Sequence, residues 1–440
     1  MNSPLNLLRL AGLPLSLTLL SILAGSVINR VMVVELGLPV ILAGLFVAIP
    51  LLVSPVRIWL GHVSDAYPLW GRRREPYLIL GAIIAGAGAA LAVALVVRTP
   101  ALFSLGTGLI LVALIAYGLG RNLTGNTFQA LLVDRFPPGV SRSRAANLYE
   151  VVKLLGMIAG AGLVGMALRP YSAERLTLVV ALIALGATVL SVLAALGQEP
   201  QGAAHRQAAD QARSSPFWNN LRHLVWQDPQ ARRFLAVITL TLLGTQMQDV
   251  LMEPYAGLVL GLDIAATTQL TMFWGLGALA SLLLSGLALI RWLGLARLYW
   301  LGIILLIPLF PLIILAGLNQ QVWLLQASVL GMGLASGLAA ASLLAQTLAF
   351  TNLRSAGLLL GVWGLGHQLG RALASLLGSG LVDGLNLTID LLGTAPPSAG
   401  ERALFAYGTA FLIEAGLLAA ALVAFRRLRV ESARALLEEA

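Results

Sequence analysis

Cysteine is absent from the chain. That excludes disulfides, thiolate metal sites and a cysteine nucleophile, and leaves the redox compartment open. Charge is also scarce: 11% of the 440 residues are Asp, Glu, Lys or Arg, against roughly a quarter in a soluble domain. Histidine is scarce, occurring as His62, His205, His223 and His367, and their spacing forms no metal-ligand cluster. Neither a nucleotide-binding loop nor a nucleophile beside a base is present, so an enzyme is not expected. No small-residue cleavage site follows the first apolar run, so a removable signal peptide is not expected. What is there in abundance is apolar sequence, 58% of the chain, with 46 glycines and 19 prolines; both are common in membrane helices. The chain reads as an all-α polytopic membrane protein. Its net charge of +9 does not indicate nucleic acid, because the basic residues are spread over short loops rather than gathered in one patch.

A span needs about 20 apolar residues. About twelve such runs occur, near 11–34, 38–60, 77–97, 102–132, 145–168, 176–197, 234–256, 265–290, 296–317, 322–349, 357–382 and 403–425. They are too long for barrel strands and lack period-two alternation. The polar stretch Gly61–Pro76 must lie outside lipid, since irregular backbone cannot leave its amides unpaired in hydrocarbon. Arg72, Arg73 and Arg74 place it in the cytoplasm, because short basic loops stay inside. By alternation, 20 of the 28 Lys and Arg then fall on the cytoplasmic side, with both termini inside. Arg98, Arg169, Arg175 and Arg402 fall outside, and Arg30, Arg121, Lys153 and Arg371 within spans.

The longest non-apolar segment, 199–233, reads as a cytoplasmic linker, either flexible or part amphipathic helix with Phe217, Trp218 and Trp226 at the interface. It divides the chain into a bundle of six spans over 1–198 and another over 234–440. Two pairs of segments, around Glu35 and Glu253 and around Asp134 and Thr351, share an offset of about 217 residues, as a duplicated six-helix unit would.

From Gly61 to Arg74 the loop reads Gly, Asp65 four later, then Gly71-Arg72-Arg73-Arg74. This resembles the cytoplasmic signature of the major facilitator superfamily, with about two residues inserted between Asp65 and Gly71. Arg121 with Gly125, and Asp134, Pro137 and Arg144, resemble its fourth-helix and following-loop motifs. The resemblance implies twelve helices in two pseudo-symmetric six-helix bundles. It also implies a cytoplasmic latch between the halves, made by Gly61, Asp65, Gly71, Arg72, Arg73, Arg74, Asp134 and Arg144. A narrower set, Arg30–Gly37, Pro55-Val56-Arg57, Gly71–Tyr77 and above all Gln248–Gly257, resembles the PucC/LhaA family, the bacteriochlorophyll-delivery branch of that superfamily. The chain departs from it at Ala256 and near Pro68–Trp70. This resemblance implies an assembly factor for light-harvesting or reaction-centre complexes in a bacterial inner or photosynthetic membrane. Its partners would be lipid, antenna or reaction-centre subunits, and transiently (bacterio)chlorophyll. The alternative is a proton-coupled transporter of a small anionic solute. Arg30 and Arg121 would bind the solute, and Asp249 or Glu253 would exchange the proton.

A magnesium-bearing pigment needs an oxygen or imidazole ligand. Only His367 lies in a span, flanked by glycines that admit a flat ring; the competing reading is a histidine bonded to a neighbouring helix. Charges inside lipid cost about 2.5–3.5 kcal/mol each and need partners. Glu150 and Lys153, three apart, are expected to pair. Arg371 and Glu414, both near mid-depth on adjacent spans, are also expected to pair, with an unpaired Glu414 facing lipid and a client helix. Arg30 is expected to pair with Asp249 or Glu253. With Glu35, Arg121 and Gln248 these form a polar site between the bundles, or an outer latch with no ligand. Glu35 and Glu253 are expected at the solvated outer interface.

Overall fold

The computed structural model describes residues 8–98, 105–136, 140–199, 229–349, 356–392 and 398–426, and these are almost wholly helical. Ten helices among them are long and apolar enough to cross a membrane. In chain order the helices are α1 (Leu8–Glu35), α2 (Val40–Leu52), α3 (Val56–Ala66), α4 (Glu75–Arg98), α5 (Leu105–Arg135), α6 (Val140–Ala167) and α7 (Ala173–Ala195). Then come α8 (Pro229–Gln246), α9 (Gln248–Leu260), α10 (Ile264–Leu284), α11 (Ile290–Leu306), α12 (Leu309–Leu318), α13 (Val322–Ala349), α14 (Ala356–Leu392) and α15 (Ala399–Arg426). Two expected spans fall on shorter pieces. The run 38–60 is divided into α2 and α3 by a turn at Val53–Pro55, where proline disfavours helix in the residue before it. The run 234–256 is divided between α8 and α9. Proline also separates α11 from α12, at Pro308.

Membrane helices carry an apolar surface outward as well as inward. On α7, Leu176, Val180, Ala184, Ala187, Ser191 and Ala194 are buried, while Leu178, Leu182, Leu185, Val189 and Leu193 form an exposed stripe. Water would not leave such a stripe bare; lipid tails would. Packing within the bundle relies on small residues that let backbones meet. Added to Gly120 of α5, a Cβ would sit 2.9 Å from Ala85 Cα of α4; added to Gly333 of α13, it would sit 2.8 Å from the Trp274 carbonyl carbon of α10.

The molecule divides into two compact units, one of Met1–Ile28 with Ile49–Pro216 and the other of Asn29–Ala48 with Phe217–Ala440. The second half of α1 and most of α2 therefore group with the C-terminal helices. In the first unit, Leu10, Leu13, Leu78, Phe128, Leu131, Phe136 and Tyr149 form a core, with Phe128 and Tyr149 edge to face at 5.2 Å. In the second, Tyr255 packs edge-on against Phe411 at 5.3 Å, and Phe310 lies 6.2 Å from the same ring. The linker 199–233, its aromatic residues and Thr351 lie outside the described residues, apart from Glu199 and the start of α8.

Candidate functional site

In the first unit the polar residues gather around the loop between α3 and α4. Leu69 and Arg72 exchange two backbone hydrogen bonds of 2.9 Å, with Trp70 and Gly71 at φ 50° and 73° between them. Two consecutive positive φ values make the tight hairpin turn that glycine favours; Trp70, in the left-handed region without being glycine, is held there with its ring almost fully exposed. Arg72 pairs with Glu75. Arg74, buried, donates to Asp134 at 2.8 Å and to Ser64 at 3.1 Å. The Glu199 carboxylate accepts the backbone N–H groups of Arg73, Arg74 and Glu75 at 2.7, 2.9 and 3.3 Å. Glu75 in turn accepts the Glu199 N–H at 2.8 Å. The donors at the start of α4 have no helical acceptors, so an anion there is doubly favoured. These bonds all lie within the first unit. They clamp α4, α5 and the end of α7 to one another. Gly61 and Asp65 lie in α3 and Arg144 in α6, but their side chains lie outside the described residues. On α3, Arg57 donates to Asn126 at 3.2 Å and also to Gln129; Arg121, half-buried on α5, is near enough for its charge to act on Arg57.

The polar residues of the second unit centre on α1 and α9. Two π-helical turns, Leu23–Val27 and Val31–Glu35, flank Ile28–Arg30. In a helix with i→i+5 bonding, residues five apart come onto one face, and Arg30 pairs with Glu35 across that interval. A second nitrogen of Arg30 donates to the Leu262 carbonyl at 2.9 Å. Arg30 therefore does not take Asp249 or Glu253 as its partner: the π-turns rotate it toward the end of α9, which rise per residue alone could not reveal. Pro254 has no N–H, so the Val250 carbonyl lacks its helical donor. The Asn29 amide supplies it, at 2.8 Å.

Asp249 instead takes Arg371 of α14, at 2.8 Å. The expected Arg371–Glu414 pair is replaced, because equal depth does not fix which way each helix is turned. Glu414 is wholly buried, so it does not face lipid; its Oε2 accepts the Gln248 N–H at 3.2 Å. Gln248 is buried too, and its side chain donates to the Thr245 carbonyl at 3.1 Å. Glu253 is buried, not solvated at an interface, and accepts from Thr271 at 3.0 Å; Glu35 is part-exposed. Asp383 of α14 accepts the Val40 and Ile41 N–H groups at 3.1 and 2.7 Å, closing the start of α2. It was not legible as a site, since the sequence shows a carboxylate at a span's end and not the helix start it meets.

His367 lies half-buried on α14, in contact with neighbours, and the helix is open beside it: a Cβ added to Gly366 would meet nothing within 4 Å. Glu150 and Lys153 pair on α6 as expected, on its exposed face. Among the described residues no group of three or more His, Cys, Asp or Glu could hold a metal ion.

A family model described as PUCC protein matches residues 27–433. Among similar proteins of Rhodobacter capsulatus, the bacteriochlorophyll synthase 44.5 kDa chain is 30% identical over 96% of each chain. A protein PucC is 31% identical over 92% of this chain and 87% of its own. An uncharacterized protein of the puhA-bchM intergenic region is 32% identical over 86% and 80%. Among solved structures, nucleoside transporter NupG matches with a TM-score of 0.68 at 15% identity over 97% of this chain and 99% of its own. A structure of a proton dependent oligopeptide transporter matches at 0.69 and 17% over the whole of both. The shared architecture is the major facilitator fold.

Proposed function

The chain belongs to the PUCC protein family, and from that premise we propose that it assists the assembly of photosynthetic light-harvesting or reaction-centre complexes, by handling (bacterio)chlorophyll or escorting antenna helices. The observation that carries this reading is the family match over residues 27–433, joined to the end-to-end similarity to a protein named as a bacteriochlorophyll synthase chain. The protein works without catalysis, in a bacterial inner or photosynthetic membrane, with both termini cytoplasmic. Its partners are lipid, antenna or reaction-centre subunits and a transiently held pigment, and it takes no nucleic acid. His367 would supply the axial nitrogen for the pigment's magnesium, with the open face at Gly366 admitting the ring; the pigment supplies the metal and its colour. Purification in mild detergent from cells that make pigment and antenna tests the proposal. Chlorophyll-type absorbance or co-purifying antenna subunits are expected. Bare protein, together with unchanged antenna levels in a strain lacking the gene, would overturn it.

A second reading, proton-coupled transport of a small anionic solute, draws support from the part-buried ion pair Asp249–Arg371 and the cationic Arg57 and Arg121. Proton-driven uptake into vesicles by the purified protein would favour it over the first.

A further inference from the structure

No part of Glu414 is exposed. Its Oε2 has one partner, the backbone N–H of Gln248, and its Oε1 has none. That N–H is the one a continuous helix would give to the Gly244 carbonyl. Glu414 has taken its place in the ladder, at the point where α8 ends and α9 begins; a side chain inserted there is a recognised cause of a helix break. The next residue, Asp249, holds Arg371, and its charge reaches Glu414.

Among the described residues, the rest of the surroundings offers no second cation. Helices α8, α9, α11, α12 and α14 pack against α15. The described side chains of α8 (236–246) and all of α12 carry no charge. Helix α9 brings Asp249 and Glu253. Besides Arg371, α14 brings His367, Asp383, which closes the start of α2, and Asp390, which pairs with Arg402. On α11, Tyr299 stacks against Phe425, eleven residues beyond Glu414 and so about 16 Å along the helix; Arg297 and Arg291 precede Tyr299 and lie toward that end or past it.

The cluster thus holds two carboxylates and one guanidinium. With both acids ionised it carries a net negative charge in a site where an unpaired charge is costly. Gln248 Oε1 is also buried without a partner, so two residues already joined by a hydrogen bond leave two acceptors without a donor. One proton on Glu414 neutralises the cluster and supplies a donor. We propose that Glu414 is a proton-binding site at the break in the seventh span, and that its occupancy sets how firmly Arg371 is held by Asp249. When the proton leaves for water, Arg371 is shared between two carboxylates. This stands on the geometry of the second unit and not on the pigment reading.

Infrared difference spectroscopy of the full-length protein during a rise in pH tests it. A protonated-carboxyl band, shifted in heavy water, should disappear in the wild type. It should be missing from Glu414→Gln and unchanged in Glu150→Gln. Asp249→Asn frees Arg371 for Glu414 and should move proton release to lower pH, whereas Arg371→Gln should move it higher. A band that survives in Glu414→Gln, or no band in the wild type, overturns the site. If Glu414→Gln does not fold, the opposite shifts in Asp249→Asn and Arg371→Gln decide, and no shift in either overturns the proposal.

Discussion

Arginine inside this fold is placed by what its fork can reach, and the side chains around Arg371 show it. Arg371 was expected opposite Glu414 by depth, and its guanidinium instead binds Asp249 at 2.8 Å. Removing one member of the pair leaves the other without its partner in a part-buried site. Arg371→Ala should therefore lower stability in detergent by about 1–3 kcal/mol, read as a fall in melting temperature. The double variant Arg371→Met with Asp249→Leu should cost less than the sum of the single changes, since it leaves no orphaned charge. That Arg371, Asp249 and Glu414 each need a partner was legible from the scarcity of charge in apolar runs. The pairing was not, because side-chain direction around each helix depends on local turns that the sequence does not announce, as the π-turns beside Arg30 demonstrate.

Helix ends and helix contacts carry the next level of organisation. The start of α4 is closed from outside its own helix by Glu199, which accepts three successive N–H groups. Glu199→Gln keeps the shape and loses the charge, so a loss of about 0.5–2 kcal/mol is expected, the range for a helix cap, with a lower melting temperature as the readout. At the contact of α10 with α13, Gly333 leaves no space for a methyl group against the Trp274 backbone. Gly333→Ala should cost about 1–3 kcal/mol through overpacking, visible as reduced yield of folded protein and earlier unfolding on heating. The break at Pro308 follows from a proline that cannot continue the ladder, although the run 296–317 reads as one span. The break at Gln248 could not be read directly: no proline or glycine sits there, and the carboxylate that accepts its N–H belongs to Glu414, 166 residues away.

At the scale of the molecule, the apolar runs and the bias of basic residues fix a multi-pass protein and its expected orientation. A tag placed after Ala440 should be reachable by an impermeant reagent only from the cytoplasmic face, in right-side-out and inverted vesicles compared side by side; access from the periplasmic face would reverse every depth argued from the spans. The sequence by itself determined the solvent each segment lives in and the family, because hydropathy and short motifs such as Gln248–Gly257 are local properties of the chain. Only the tertiary structure decided that Asn29–Ala48 groups with the C-terminal helices, that Arg74 clamps Asp134 within the first unit, and that Glu414 is buried against Gln248. Each depends on the rotation and approach of helices distant in sequence. That is settled by packing of small residues and by which unsatisfied backbone group a polar side chain happens to meet.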